Sequence, residues 1–285
     1  MVNTIGNPLT WGAQAARQTG HHLADATAHV QSSRSDSAPI VNKIGLEDLS
    51  HALRMGVKDF AAFRSDVMFL VILYPIIGMV MAWVAFNANL APYMFPLASG
   101  FALLGPVAGI FLYELSRRRE MGMHATWGDA FGVLRGPQVG PIIVLGMYLL
   151  GMFLTWMIAA HAIFTATMGP DLPTSTMGFF REVFSTEGGA ALIIIGIPVG
   201  AVFAAIVLAI SVVSFPLLMD RDVGLPVAVA TSLRVTAKNP LVIGAWGLIV
   251  AAALAIGSLP MFLGLVIVMP ILGHATWHLY RRAVS

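Results

Sequence analysis

The stretch FPLASGFALLGPVAGIFLYELSRRRE, residues 95–120, decides how this chain folds and where it lies. It is uncharged until it reaches Glu114, and it ends just after three consecutive arginines, Arg117, Arg118 and Arg119. About nineteen uncharged residues, at about 1.5 Å per helical residue, nearly match a hydrocarbon core about 30 Å thick. We therefore expect a transmembrane helix that stops at a charged membrane surface.

The composition extends this expectation to the whole chain. The 285 residues are 58% hydrophobic and only 11% charged, whereas soluble domains are about 25% charged. The mean hydropathy is +0.82. This predicts an all-α, polytopic membrane protein. The absence of cysteine excludes disulfides, thiolate metal sites and thiol nucleophiles. The small net charge of +2 gives no reason to expect a nucleic-acid partner.

Neutral runs of sufficient length predict six spans. They are Val67 to about Ala88, Phe95 to Tyr113, one span within residues 136–170, Gly188 to Met219, and two spans within Pro240 to Tyr280. The last run is too long for one helix, and Ser258 with Leu259, between a glycine and a proline, divides it. Prolines inside four of the spans, which permit kinks, are Pro75, Pro106, Pro198 and Pro270.

The distribution of basic residues predicts the orientation. With six spans, Arg181 is the one basic residue of sixteen in an outer loop. Both termini are therefore expected in the cytoplasm. Residues 1–40 are polar and predict a mobile cytoplasmic tail, and residues 41–285 form the six-helix membrane domain.

Three short amphipathic segments lie before pairs of spans. They are Gly45–Arg64, Thr126–Arg135 and Pro226–Lys238. In the first, the apolar positions at helical spacing are Leu46, Leu49, Leu53, Val57, Phe60 and Ala61. Because each segment carries basic residues and leads into a span, we expect each to lie at the cytoplasmic interface.

The three segments also predict an internal repeat. HALRMGVKD, GVLRGPQ and TSLRVTAKNP share a Leu-Arg pair, and Arg54 with Lys58 recurs as Arg234 with Lys238. We infer three copies of an interfacial helix plus hairpin, at about residues 45–120, 124–222 and 225–285. Chance similarity of short apolar strings is the alternative. The interfacial basic residues are Arg54, Lys58, Arg117, Arg118, Arg119, Arg135, Arg234 and Lys238.

Ionisable residues inside spans are the candidate functional residues, since placing them in hydrocarbon is costly. The chain offers Glu114, His161, His274 and His278, and His161 lies toward the outer surface, away from the others. His274 and His278 lie on one helical face, which suits two ligands of a metal ion or two interfacial hydrogen bonds, but not both axial positions of a haem.

Glu114 precedes Arg117 and Arg118 at the spacing of a local ion pair, and a proton relay is its alternative role. The run Met121–His124 offers thioethers and an imidazole that suit Cu(I). No catalytic residue and no bound cofactor are predicted.

Two strings, PVAGIFLYELSRR and PILGHATWHLYRR, make Glu114 and His278 equivalent positions of the repeat. We therefore expect Glu114, His274 and His278 at one depth, within the cytoplasmic third of the second and sixth spans. If Glu114 and His278 touch, the carboxylate favours a charged imidazole, and the pair becomes a proton-sensitive latch.

The string PLASGFALLGPVAGIFLYELSRRREMG resembles the signature of the DUF2189-type family of predicted bacterial integral membrane proteins of unknown function. The likeness extends from about Asp48 to the C-terminus. It implies a multi-pass protein of the bacterial inner membrane, and some family members are labelled as cytochrome c oxidase subunits. A catalytic subunit of such an oxidase is expected to have about twelve spans and a set of intramembrane histidines. This chain, with six predicted spans and few candidate histidines, does not resemble it.

Two functions remain open. The first is a non-catalytic accessory, assembly or scaffolding protein, with membrane lipids and subunits of a respiratory complex as partners. The second is a small-solute transporter or a lipid-binding membrane protein. A polar cavity between the hairpins favours the second, and a tightly packed core with an exposed flat face favours the first.

Overall fold

The structure, a computed structural model, describes residues 39–71, 75–76, 78–80, 82–83, 90–103, 105–123, 126–171, 173–260 and 262–285. The elements within these ranges are helices and turns, with one isolated β-bridge between Val41 and Val284. The prediction of an all-α protein is therefore confirmed. Residues 1–38 of the predicted tail, and much of the first predicted span, lie outside the described residues.

The helices have the following bounds: α1 Leu46–Val71, α2 Met94–Leu103, α3 Gly105–Ala108, α4 Ile110–Glu120, α5 Trp127–Ala130, α6 Val139–Met168, α7 Thr176–Ser185, α8 Glu187–Ser211, α9 Ser214–Asp220, α10 Leu225–Lys238, α11 Pro240–Ser258 and α12 Leu265–Ala283. Two short 3-10 helices, Ala91–Tyr93 and Phe131–Arg135, precede α2 and follow α5.

Three stretches among the described residues are long and apolar enough to cross a membrane. They are α6, the continuous run of α8 and α9 over Glu187–Asp220, and α11. Their large apolar side chains point outward, with Ile158, Ile194 and Leu248 all more than 70% exposed. Such surfaces match lipid, and a helix satisfies its backbone hydrogen bonds internally, as a lipid environment requires. These stretches coincide with the third, fourth and fifth predicted spans.

The second and sixth predicted spans are helical but are not among these three. The second is divided into α2, α3 and α4 around Pro106, which has no N–H to donate. The amide of Gly109 still bonds the Gly105 carbonyl, and the amide of Tyr113 bonds the Gly109 carbonyl, both at 2.9 Å. The sixth is α12, which is apolar in its first half and carries histidine, aromatic and arginine side chains in its second half.

A tight turn separates α11 from α12, where Ser258 and Leu259 were predicted to divide the run. Phe262 adopts a positive φ of 64° in this turn. A side chain at Gly264 would lie 2.7 Å from the Gly257 carbonyl oxygen, so the two helices approach closely there. The predicted division of residues 240–280 is confirmed.

Charged side chains bring several helix ends together. Tyr280 donates to Asp220, which joins α12 to α9, and Arg119 of α4 reaches α1. We call this region the charged end. At the opposite end, which we call the aromatic end, Phe164 of α6 packs against Phe179 of α7.

The charged end also holds a clasp between the two ends of the described chain. Ile40 and Ser285 exchange two backbone hydrogen bonds of 3.0 Å, and the Asn42 amide donates to the Ala283 carbonyl. Lys238, at the end of α10, donates from Nζ to the Val41 carbonyl at 2.8 Å. The segment before α1 is therefore held against the end of α12.

Helix α1 packs along α12 and buries a face that only partly overlaps the predicted one. Leu49 is buried, as are Asp48, Ala52, Gly56 and Asp59, whereas Leu46 and Val57 are 63% and 49% exposed. A Cβ at Gly56 would lie 2.6 Å from the Ile271 carbonyl oxygen of α12. The predicted apolar face was right for Leu49 and wrong for Leu46 and Val57, because the small residues Ala52 and Gly56, which let the backbones approach, lie at the contact.

The other two amphipathic segments differ in their helix content. Residues 226–238 lie within one helix, α10. The segment from Thr126 to Arg135 is less regular, with a four-residue helix followed by a 3-10 helix. Thr126 and Asp129 form a capping box at its start, which accounts for the helix beginning there.

Candidate functional site

Asp59 of α1 lies at the centre of a buried polar cluster. Its residue surface is 2% exposed, and its carboxylate meets side chains from two other helices. Oδ2 accepts a 2.5 Å hydrogen bond from Ser116 of α4 and lies 2.8 Å from Nε2 of His278 of α12. Oδ1 accepts a 2.6 Å hydrogen bond from Arg119 of α4. We call these residues, together with His274, the Asp59 joint.

A chain of hydrogen bonds runs through the joint. Ser116 Oγ also lies 2.8 Å from Nδ1 of His274, which is fully buried. Ser116 donates its single hydroxyl hydrogen to Asp59, so the His274 contact requires Nδ1–H to donate to Ser116. An ionised carboxylate only accepts, so the Nε2–H of His278 donates to Asp59. Three helices are thereby tied to one carboxylate.

The charge of Asp59 is stabilised by its partners. Burial alone would raise the pKa of this carboxyl group, but hydrogen bonds from His278 and Ser116, with the nearby imidazoles, outweigh it and hold the pKa below its usual 3.8. Asp59 lies before the first predicted span, so its carboxyl group is outside the predicted membrane-spanning segments. Near the clasp, the Gly45 amide and the Arg282 guanidinium likewise lower the pKa of Asp48.

A second set of bonds lies one turn further toward the helix ends. Glu120 of α4 accepts from Trp277 Nε1 and from Arg281 Nε, both at 3.0 Å. Asp220 of α9 accepts from Tyr280 Oη at 2.6 Å and from Arg281 at 3.1 Å. Arg281 therefore links α4, α9 and α12 at the charged end.

Glu114 forms the predicted local ion pair. Its carboxylate accepts from Arg117 Nε and from Arg118 Nε, each at 2.7 Å, and its side chain is 4% exposed. Arg118 also pairs with Asp129 of α5 at 3.1 Å. The local pairing is confirmed. The condition for the latch, a contact between Glu114 and His278, is not met by the described contacts, in which His278 pairs with the Asp59 carboxylate.

The relative depth of these residues follows from helix direction. As α4 advances from Ser116 to Glu120, its partners on α12 advance from His274 to Trp277, so the two helices run side by side in the same direction. At about 1.5 Å per residue, Glu114 and His278 are then separated by about 9 Å along the axes.

His161 lies elsewhere, toward the end of α6 at the aromatic end. Its Nδ1 lies 2.6 Å from the Tyr93 hydroxyl, and the two rings stack. It shares no site with the histidines of α12, as the sequence predicted.

The described residues contain no group of three or more histidine, aspartate or glutamate side chains arranged to hold a metal ion. His274 and His278 lie on one side of α12, but their described partners are a hydroxyl and a carboxylate within the joint. The run Met121–His124 falls partly outside the described residues.

Among the described residues, cavities are found at the charged end. One, of about 110 Å³, lies between the start of α6 and the turn from α9 to α10. The other, of about 340 Å³, lies between residues 42–44 and Arg281 with Arg282. Both are peripheral.

Two central residues, Asp59 and Ser116, were not considered by the sequence reasoning. A signal was present, because Leu49, Ala52, Gly56 and Asp59 recur at helical spacing, with the small residues Ala52 and Gly56 in the middle of the stripe. What the spacing does not reveal is which helix packs against this stripe and so buries it.

Comparison with known proteins identifies one family. A family model described as predicted integral membrane protein (DUF2189) matches residues 94–220, somewhat less than half of the chain. The matched segment runs from the start of α2 to the end of α9 and includes two of the three candidate spans. No curated protein and no solved structure matches. The match confirms the resemblance carried by the string after Pro96, and it does not bear on the oxidase label.

Proposed function

We propose that this protein is a non-catalytic, six-span component of the bacterial inner membrane that serves as an accessory or scaffolding subunit of a larger membrane complex. The observation that carries the proposal is how its buried ionisable groups are used. Asp59 and Glu114, the two most deeply buried acids on α1 and α4, are both neutralised by basic partners within the chain. Asp59 joins α1 to α4 and α12, and Glu114 is paired within its own helix.

The topology that we propose has three hairpins, each preceded by an interfacial helix, with both termini in the cytoplasm. The gathering of ion pairs at one end supports it, because basic side chains concentrate on the cytoplasmic side of membrane proteins. The outer loop then contains α7 and Arg181. Reporter fusions at Gly178 and Pro226 test this topology: the expected result is opposite sides of the membrane, and the same side for both contradicts it.

The exposed apolar surface supports a role in assembly. A core of large side chains such as Trp156, Trp246 and Phe215 is closely packed, while long apolar faces of α6, α8 and α11 remain outward. These faces suit lipid or another membrane helix. We propose a respiratory oxidase as the first complex to test for association with this chain.

The experiment is purification of the chain from its native membranes in a gentle detergent. The expected result is co-elution with a defined membrane complex in a fixed ratio, with an unrelated tagged six-span protein as the control. A chain that elutes alone, from membranes in which the oxidase itself remains intact, contradicts a stable accessory role in that enzyme.

The hydrogen-bond chain of the Asp59 joint favours a second candidate, a proton-coupled transporter. Its links run from partly exposed Arg119 to fully buried His274. Protein reconstituted in vesicles with an internal pH-sensitive dye distinguishes the two. Proton flux that Asp59→Asn abolishes supports transport, and an impermeable vesicle supports the scaffold.

A further inference from the structure

The basic side chains of the charged end fall into two groups. Arg117, Arg118, Arg119, Arg281 and Arg282 each pair with a carboxylate of the chain. Their positive charge is largely balanced internally, and they hold helices together.

Four basic side chains on α1 and α10 are not balanced in this way, and neither is the exposed Lys43 in the segment before α1. Arg54 and Lys58 of α1, and Arg234 and Lys238 of α10, are exposed, and no ion pair joins them to a carboxylate of the described residues. Arg234 contacts the Ala230 carbonyl and the Thr231 hydroxyl of its own helix, and Lys238 contacts the Val41 carbonyl. These neutral acceptors leave both charges uncompensated.

The neighbours of each basic pair on the same exposed stripe are apolar. On α1, Val57 and Ala61 share the face of Arg54 and Lys58 at helical spacing, and both are exposed. We call these four residues the first basic stripe.

The second basic stripe lies at the junction of α10 and α11. It consists of Arg234, Ala237 and Lys238, which are exposed near the end of α10, and of Leu241, which follows the break at Asn239 in the first turn of α11 and is 84% exposed. Each stripe thus presents two cations beside bare apolar surface.

We propose that the two basic stripes bind anionic phospholipids, with the lipid phosphate held by each Arg and Lys pair and the acyl chains against the adjoining apolar side chains. Charge complementarity identifies the phosphate, and the apolar neighbours favour a lipid over a soluble acidic peptide. Arginine and lysine near a membrane surface each contribute about 1 kcal/mol to binding anionic lipid, which is about fivefold in affinity.

This inference rests on the membrane topology proposed above and is independent of the accessory role. It also explains why the pair Arg54 and Lys58 recurs as Arg234 and Lys238, since both pairs would bind the same kind of lipid at one membrane surface. The first stripe lies beside the buried Asp59, so a lipid bound there contacts the exposed side of the helix whose inner side forms the joint.

The test is native mass spectrometry of the full chain from nanodiscs that contain equal amounts of phosphatidylglycerol and phosphatidylcholine. The variants are Arg54→Gln with Lys58→Gln, Arg234→Gln with Lys238→Gln, and all four together. The charge-preserving exchange Arg54→Lys with Lys58→Arg is the matched control, and Arg181→Gln controls for a basic residue of the outer loop.

The expected result is a fall in the retained ratio of anionic to zwitterionic lipid, by up to about fivefold for each charge removed. The charge-preserving exchange and Arg181→Gln should leave the ratio unchanged. A fourfold variant with the wild-type ratio overturns the proposal, as does an equal fall in Arg181→Gln. Displacement of the lipid by soluble glycerol phosphate would show recognition of phosphate alone and also overturns it.

The outcome separates this inference from the topology. If the reporters at Gly178 and Pro226 give opposite sides while the lipid ratio is unchanged in the fourfold variant, the lipid site fails and the topology stands. If the reporters give the same side, the topology fails first.

Discussion

Two segments align in sequence as copies of one unit: HALRMGVKD, which ends at Asp59, and TSLRVTAKN, which ends at Asn239. They differ in how the buried polar side chain at this last position finds its hydrogen-bond partners. Asp59 is 2% exposed and Asn239 is 4% exposed. Asp59 is charged, and its partners are side chains on α4 and α12. Asn239 is neutral, and its partners are backbone groups.

The partners of Asn239 belong mostly to the clasp. Its Oδ1 accepts from the Ile44 amide at 2.9 Å, and its Nδ2 donates to the carbonyls of Asn42 and Val235. An amide can both donate and accept, which suits backbone partners, whereas a carboxylate only accepts and suits cations and hydroxyls. The comparison teaches that the residue at this position is chosen by what packs opposite it.

The two helices also continue differently after this position. Helix α1 runs on to Val71, while α10 ends at Lys238 and α11 begins at Pro240. Proline disfavours helical geometry in the residue before it, and Asn239 has φ −131° and ψ 50°. Phe60 follows Asp59 and imposes no such break.

The largest effect is expected from Asp59→Ala. It leaves the buried donors Ser116 and His278 without their common acceptor, at about 1–3 kcal/mol each, while the partly exposed Arg119 can bond to water. Unfolding in mixed detergent and SDS micelles measures it. The stability of Asp59→Asn should lie between those of Asp59→Ala and wild type. If Asp59→Asn is as stable as wild type, the charge of Asp59 does not contribute to stability.

Asn239→Ala should cost less, about 1–3 kcal/mol, because it leaves the buried Ile44 amide without its acceptor. The same micelle unfolding measures the change. Limited proteolysis should also cut near residues 39–44 faster, since these bonds hold the clasp. Equal cutting of the variant and wild type would argue against that role.

Close packing gives a third contrast between the two segments. Gly56→Ala should destabilise by about 1–3 kcal/mol, because its methyl group would lie 2.6 Å from the Ile271 carbonyl oxygen. Thr236, at the aligned position, is only half-buried, and Thr236→Ala should change stability little. Thermal unfolding of the two variants compares them, and a larger loss at Thr236 would contradict the assigned helix contact.

A smaller effect is expected from pH. The pKa of Asp59 is lower in the folded state than the usual 3.8, so its contribution is fully present above that value and is lost as pH falls below it. Unfolding profiles from neutral to acidic pH should show a smaller loss in Asp59→Asn than in wild type. The variant profile should not be flat, because Asp48 also has a lowered pKa. Identical slopes would contradict the assignment.

Much of the fold was accessible to sequence reasoning because it depends on local properties. The lengths of the neutral runs predicted α6, α8 with α9, and α11, and the small residues and proline near Ser258 predicted the division of the last run. The ion pair of Glu114 with Arg117 and Arg118 was likewise predicted, since its partners lie within one helical turn.

The candidate site was less accessible because it depends on distant partners. Asp59, Ser116 and His278 are separated by more than fifty residues from one another, and no spacing rule joins them. The repeat placed Glu114 and His278 at equivalent positions but contained no information on rotation about each helix axis, so whether they touch could not be predicted. The contribution of Ala52, Gly56 and Asp59 to the buried face of α1 was missed for the same reason.

The central claim is that Asp59 stabilises the protein through the side chains of neighbouring helices. A double-mutant cycle with Asp59→Asn and His278→Gln, measured by unfolding in mixed detergent and SDS micelles, tests it most directly. We predict a coupling of about 1–3 kcal/mol, with the double variant less destabilised than the sum of the single variants. Additive effects would show that the two residues act independently and would contradict the account.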